Sequence, residues 1–187
     1  VNPSAAHSQC TFDWLTKPSH GVLGTNATIY ASTIWDPDGP GPASALLVVG
    51  GNFTIAGSIF ANRIAAWDGT NWSTFGTGFN SYVFSLAVYN GELIAGGYFT
   101  MAGGVPALGI AKWNGREWQP LGSGISGNSS VYAMIVLNGE LIVGGYFTEA
   151  GGITANALAK WNGTEWFPFG SGMYDSSTAY VTSIELY

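Results

Sequence analysis

The chain has 187 residues and a formal net charge of −6, from five Lys and Arg against eleven Asp and Glu. Hydrophobic residues make up 47 % of it and charged residues only 9 %, and glycine occurs 28 times. That apolar content argues against a disordered tail; the few basic residues leave no electrostatic footprint for nucleic acid or an anionic membrane, and no run of eighteen apolar residues is present to cross a bilayer as a helix.

From the N-terminus, residues 1–27 hold the single cysteine, Cys10, both histidines, His7 and His20, and one strand-like run, Phe12-Asp13-Trp14-Leu15, read as a lone outer strand. One cysteine excludes an intrachain disulfide and a Cys-based zinc cluster. Beyond residue 28 the local signals are β throughout, with no useful stretch of 3.6-residue periodicity. Apolar runs flank Asn90-Gly91 and Asn138-Gly139, which predicts hairpins with type I′ turns, because that turn needs φ > 0 at both central residues. Second hairpins are predicted at Asp68-Gly69, Asn114-Gly115 and Asn162-Gly163. As two-residue turns these would set Trp113 opposite Arg116, Lys112 opposite Glu117 and Lys160 opposite Glu165, giving cross-strand ion pairs worth about 0.2–1 kcal/mol each.

Self-comparison organises these elements. The strings LIAGGYFTMAGG (93–104) and LIVGGYFTEAGG (141–152) are near copies, and LLVVGGNFTIAG (46–57) is a third. Trp67, Trp113 and Trp161 lie 46 and 48 residues apart, and so do Trp72, Trp118 and Trp166, and Gly50, Gly96 and Gly144. Four-stranded units repeated at this period predict an all-β fold, a partial β-propeller with antiparallel blades over 28–79, 80–125 and 126–173. Residues 174–187 are read as the first strand of a further blade. A propeller needs about four to eight blades to close, so the chain is expected to be part of a longer protein or to associate with other copies. The paired tryptophans are expected to pack between blades, each burying about 150–250 Å², and the diglycines Gly96-Gly97 and Gly144-Gly145 to end the second strand.

The strand ending Leu141-Ile142-Val143-Gly144-Gly145, followed by Trp161 and Trp166, resembles kelch-type propellers, the architecture of galactose oxidase. The patterns GG-x-F-T-x-A-G-G and W-[ND]-G-x-x-W are more similar still to extended kelch-like repeats of large secreted bacterial proteins, over roughly residues 28–187. Trp35-Asp36-Pro37-Asp38-Gly39-Pro40-Gly41-Pro42 looks like the first-hairpin insertion of such repeats. The resemblance implies a propeller with a general habit of binding, extracellular or at the cell surface.

The residues that bear chemistry are sparse. Kelch-fold copper oxidases use a Tyr–Cys crosslink with His ligands, but Cys10, His7 and His20 lie outside the repeats. Glycoside hydrolysis needs two carboxylates about 5–9.5 Å apart, whereas Asp13, Asp36, Asp38, Glu149, Asp175 and Glu185 are scattered, and Arg63 and Arg116 are the only arginines against the cluster a sialidase uses. Asp36 and Asp38 offer oxygens of a kind Ca²⁺ accepts, although Asp-Pro-Asp-Gly reads first as a turn. No cofactor is implied. Five N-x-S/T sequons occur, at Asn26, Asn52, Asn71, Asn128 and Asn162.

Alternation of strand direction places the loops after strands two and four on one face, opposite the Asn-Gly turns. That face carries Thr100 and Thr148 with Tyr82, Met173, Tyr174 and Tyr180 nearby, a neutral surface suited to a glycan or a protein. Small residues that merely let loops pack would leave the same pattern. The expectation is a non-catalytic binding or structural scaffold. A carbohydrate-binding propeller is the alternative, as is a piece of a glycan-acting enzyme whose catalytic residues lie elsewhere.

Overall fold

The computed structural model describes residues 24–126, 129–173 and 179–186. The expected strand Phe12–Leu15, Cys10, both histidines and Tyr174 lie outside the described residues. Among those described the structure is all-β, with three four-stranded antiparallel sheets. The first blade runs Ile29–Trp35, Leu46–Gly51, Ile64–Trp67 and Trp72–Ser73. The second runs Val83–Tyr89, Glu92–Gly97, Ile110–Trp113 and Trp118–Pro120. The third runs Ser130–Leu137, Glu140–Tyr146, Leu158–Trp161 and Trp166–Pro168. Strands follow sequence order across each sheet.

The first hairpins close as their sequence predicts. Asn90 and Gly91 have φ of 51° and 80°, as do Asn138 and Gly139, joining Tyr89 to Glu92 and Leu137 to Glu140 as direct partners. In the first blade the proline-rich insertion connects Trp35 to Leu46 instead.

The second hairpins differ from the expectation. Trp67 pairs with Trp72, Trp113 with Trp118 and Trp161 with Trp166, so four residues form each loop. The cause is local chemistry: the Asn114 Oδ1 accepts hydrogen bonds from the amides of Arg116 and Glu117, both 2.9 Å, and Asn162 does the same for Thr164 and Glu165. An asparagine held in an Asx turn keeps negative φ, so the two-residue I′ turn is not available to it. The register shift corrects the ion pairs. Lys112 stands opposite Gln119 and reaches across to Glu92 at 3.0 Å, and Lys160 reaches Glu140 at 3.0 Å.

A further difference lies in the segment after each diglycine. It forms a small hairpin of its own, at Ile55–Ala56 with Ile59–Phe60, Met101–Ala102 with Val105–Pro106, and Glu149–Ala150 with Ile153–Thr154. The turn glycines Gly103 and Gly104, both at positive φ, permit the tight reversal. The chain linking one blade to the next pairs with the next blade's small hairpin, as Ile125–Ser126 does with Glu149–Ala150.

The core lies between blades. One buried cluster joins Val48, Ile64 and Phe75 of the first blade to Val83, Leu93, Trp113 and Trp118 of the second. Another joins Ile94, Ile110 and Leu121 to Val131, Leu141, Trp161 and Trp166. The inner strands of successive blades touch one another, forming a hub. Glycine sets the closeness: a Cβ on Gly50 would meet Val83 Cγ1 at 2.5 Å, and one on Gly96 would meet Val131 Cγ1 at 2.5 Å. Polar links repeat too. Trp118 Nε1 donates to Phe75 O and Trp166 Nε1 to Leu121 O, both 3.1 Å. At the opposite end Trp35 Nε1 donates to Gly91 O and Tyr89 Oη to Gly139 O.

Residues 179–186 continue the pattern without forming a strand. Val181 N donates to Gly145 O at 3.1 Å, and Val181 Cγ1 lies where a Cβ on Gly144 would meet it at 2.7 Å. Val181 thus occupies the place of Val83 and Val131. Residues 174–178 and 187 of the expected inner strand lie outside the described residues, and residues 179–186 take an inner strand's place without a ladder.

Candidate binding surface

The blade geometry creates one unusual position three times. Between inner and second strands the ladder slips by one residue: Ile29 pairs with Gly51 and Ala31 with Gly50, leaving Tyr30 without a partner. Val83 and Ser85 bracket Phe84 in the same way, and Val131 and Ala133 bracket Tyr132. Such a bulge turns the extra side chain out of the pleat and re-aims it. All three bulged residues are aromatic. They meet from blade to blade, with ring centroids 5.2 Å apart for Tyr30 and Phe84 and 5.4 Å for Phe84 and Tyr132. Tyr180 extends the row at 6.5 Å from Tyr132, and Tyr82 flanks it at 5.8 Å from Phe84. Tyr30, Tyr82 and Tyr180 are exposed, and Phe84 and Tyr132 are half-buried. The result is an aromatic stripe at the start of the inner strands, on the face carrying the blade-to-blade links.

Exposed Tyr98 and Tyr146, at or just past the end of their second strands, adjoin it; Tyr98 N donates to Tyr82 O at 2.9 Å. Arg63 stands on the same face. Its carbonyl accepts from Gly51 N at 2.9 Å, and Gly51 pairs with Ile29 beside Tyr30. Arg63 has φ of 66°, a left-handed conformation that costs a side-chain-bearing residue roughly 1–2 kcal/mol. The equivalent positions hold Gly109 and Ala157, which make the same carbonyl bonds to Gly97 and Gly145. Arg63 Nε is buried with no hydrogen-bond partner among the described residues.

The residues expected at this surface divide. Tyr82 and Tyr180 belong to the stripe. Thr100 is held by the fold, because Asn80 clamps it: Asn80 Nδ2 donates to Thr100 Oγ1 at 2.9 Å and its Oδ1 accepts from the amides of Thr100 and Met101. Thr148 is exposed, and Ser126, at the place of Asn80, bonds Glu149 at 2.7 Å instead. Met173 is 50 % exposed, whereas Phe79 and Ile125 at its repeat position are 3 % and 0 % exposed; it stands at an inter-blade packing position. Asp36 and Asp38 turn inward on their own loop, accepting from the amides of Asp38 and Ala43 respectively. Among the described residues no three His, Cys, Asp or Glu side chains group as metal ligands. Asp68 is held below the usual carboxylate value of 3.8 by the backbone amides of Asn71 and Thr70, which donate to it in the outer turn.

Tyr30, Phe84 and Tyr132 were legible in one respect, since each follows an apolar residue, Ile29, Val83 or Val131, in the first two positions of its inner strand. Their significance was not, because a bulge leaves no mark in hydropathy.

Sheets stacked around a hub of inner strands, with their core between them, define a partial β-propeller. A family model described as "Domain of unknown function (DUF5122) beta-propeller" matches residues 138–162, from the inner turn of the third blade to the end of its third strand. No curated protein matches the chain.

Proposed function

We propose that the chain is a non-catalytic binding module of kelch-like propeller blades, acting outside the cell or at its surface, whose ligand lies on the aromatic stripe. The observation that carries this reading is that all three bulges hold an aromatic side chain and that these rings meet in one row from blade to blade. Aromatic rings that combine an apolar face with a hydroxyl suit ligands having both kinds of surface, above all glycans. The kelch-like motifs and the low lysine content support the extracellular setting.

The test is a glycan array read with the chain and its Tyr132→Ala variant. Retention of at least one glycan by the parent, lost in a variant that still unfolds cooperatively, is the expected result. No retention, or retention indifferent to Tyr132, refutes it. We also infer that the ring is completed by further blades, of a longer parent or of other copies, an inference supported by the exposure of Met173 where its counterparts are buried. Sedimentation at rising concentration tests the second route.

A further inference from the structure

Resting on the binding surface just proposed, we infer that Arg63 makes this site selective for acidic oligosaccharides, its guanidinium pairing with the carboxylate of a hexuronate whose ring stacks on the aromatic stripe. Three independent observations converge on Arg63. It occupies a left-handed backbone position that the other two blades give to glycine and alanine. Its Nε is buried without a partner among the described residues. Among the described residues no carboxylate pairs with it, whereas Lys112 and Lys160 are held by Glu92 and Glu140, and Arg116 sits in an outer turn at the far end of its blade. Since Gly109 and Ala157 share that conformation, the fold itself sets it, and what distinguishes the first blade is the charged side chain carried there.

Position supports the pairing. Arg63, Gly51 and Ile29 lie in one row across the first blade, so Arg63 is two strand spacings, about 10 Å, from the inner strand that carries Tyr30. At the equivalent Gly109 a Cβ would point towards Ile125 and Ser129, 3.5 and 3.6 Å away, on the link to the next inner strand. The same direction from Arg63 leads towards the link 79–82, which ends at Tyr82. Arg63 and the stripe therefore flank a span of about two sugar units. A guanidinium binds carboxylate in a two-pronged, charge-assisted geometry that a neutral sugar cannot reproduce. Hydroxyl-bearing rings on either side favour a sugar over an acidic peptide, whose side chains offer no flat apolar face.

Titration calorimetry of the full chain at 0.15 M salt would compare a galacturonate hexamer, its methyl ester, a neutral hexose hexamer and a hexaglutamate peptide. The acid is expected to bind about tenfold more tightly than its ester, as one charged hydrogen-bonded contact supplies. Arg63→Gly, which copies Gly109 and should leave the melting temperature unchanged or raised, should bring acid and ester within about twofold. Tyr132→Ala should weaken both. Equal binding of acid and ester by the parent, with no effect of Arg63→Gly, overturns this inference and leaves the aromatic site standing. Hexaglutamate binding as tightly as the hexuronate overturns it as well, since the site would then read charge without sugar. No binding by any of the sugars overturns both readings.

Discussion

A methyl group added at Gly96 probes the contact on which the stacked-blade arrangement depends. Its Cβ would lie 2.5 Å from Val131 Cγ1 of the next blade and 2.6 Å from Ser85 Oγ. Relieving such an overlap in a packed interior costs about 1–3 kcal/mol. Val131→Ala removes two methyl groups from a fully buried side chain, about 1.6 kcal/mol of transfer energy and roughly 2 kcal/mol once the cavity is included. Independent effects would sum to about 3–5 kcal/mol. In the double variant, however, the new methyl enters space that Val131 has left. The double-mutant cycle should therefore show coupling of about 1 kcal/mol or more, with the pair less damaging than the sum. Urea denaturation with unchanged m-values measures it. Gly50→Ala, whose methyl would meet Val83 instead, combined with Val131→Ala serves as control and should be additive within about 0.5 kcal/mol. Additivity in the Gly96 cycle as well would mean that these sheets do not pack against each other, and the propeller reading would fall.

Three further predictions follow from individual contacts. Trp118→Phe strands the Phe75 carbonyl and should cost about 1–3 kcal/mol in urea unfolding, whereas Trp72→Phe should be close to neutral, because Trp72 Nε1 is buried without an acceptor among the described residues. Glu92→Gln should lower stability by less than about 1 kcal/mol, since the pair it forms with Lys112 is about a third exposed, while Glu117→Gln should leave it unchanged; the reverse order would restore the two-residue turn. Asp68 is more acidic folded than unfolded, so its contribution is present above pH 3.8 and is lost as pH falls through the lower folded value. Melting curves between pH 5 and 2 should lose that component in Asp68→Asn, which copies Asn114 and Asn162 and keeps the turn; an unchanged acid limb would refute the assignment.

The sequence determined what short-range chemistry determines. Spacing of tryptophan and diglycine markers gave three blades, and Asn90-Gly91 and Asn138-Gly139 gave their inner turns, because a turn needing two positive φ angles leaves few residue choices. The same dipeptide at Asn114-Gly115 misled, since its outcome depends on whether the asparagine side chain captures the two amides ahead of it. Composition offered no sign of that competition, and with it went the partners of Lys112 and Lys160. Thr100 looked available in the sequence and is clamped by Asn80, twenty residues earlier.

Only the tertiary structure decided the aromatic surface. Tyr30, Phe84 and Tyr132 form one stripe because each inner strand carries a bulge, and no pattern in hydropathy marks where the ladder slips. Their rings meet because the blades stack closely enough for Val83 and Val131 to seat against glycines of the preceding blade. The burden on Arg63 is invisible in the same way, since its left-handed backbone and an Nε buried without a partner among the described residues follow from its place in the first blade. Period and turn identity are properties of a few neighbouring residues. Side-chain direction at the hub is a property of sheets that come together only when the chain has folded.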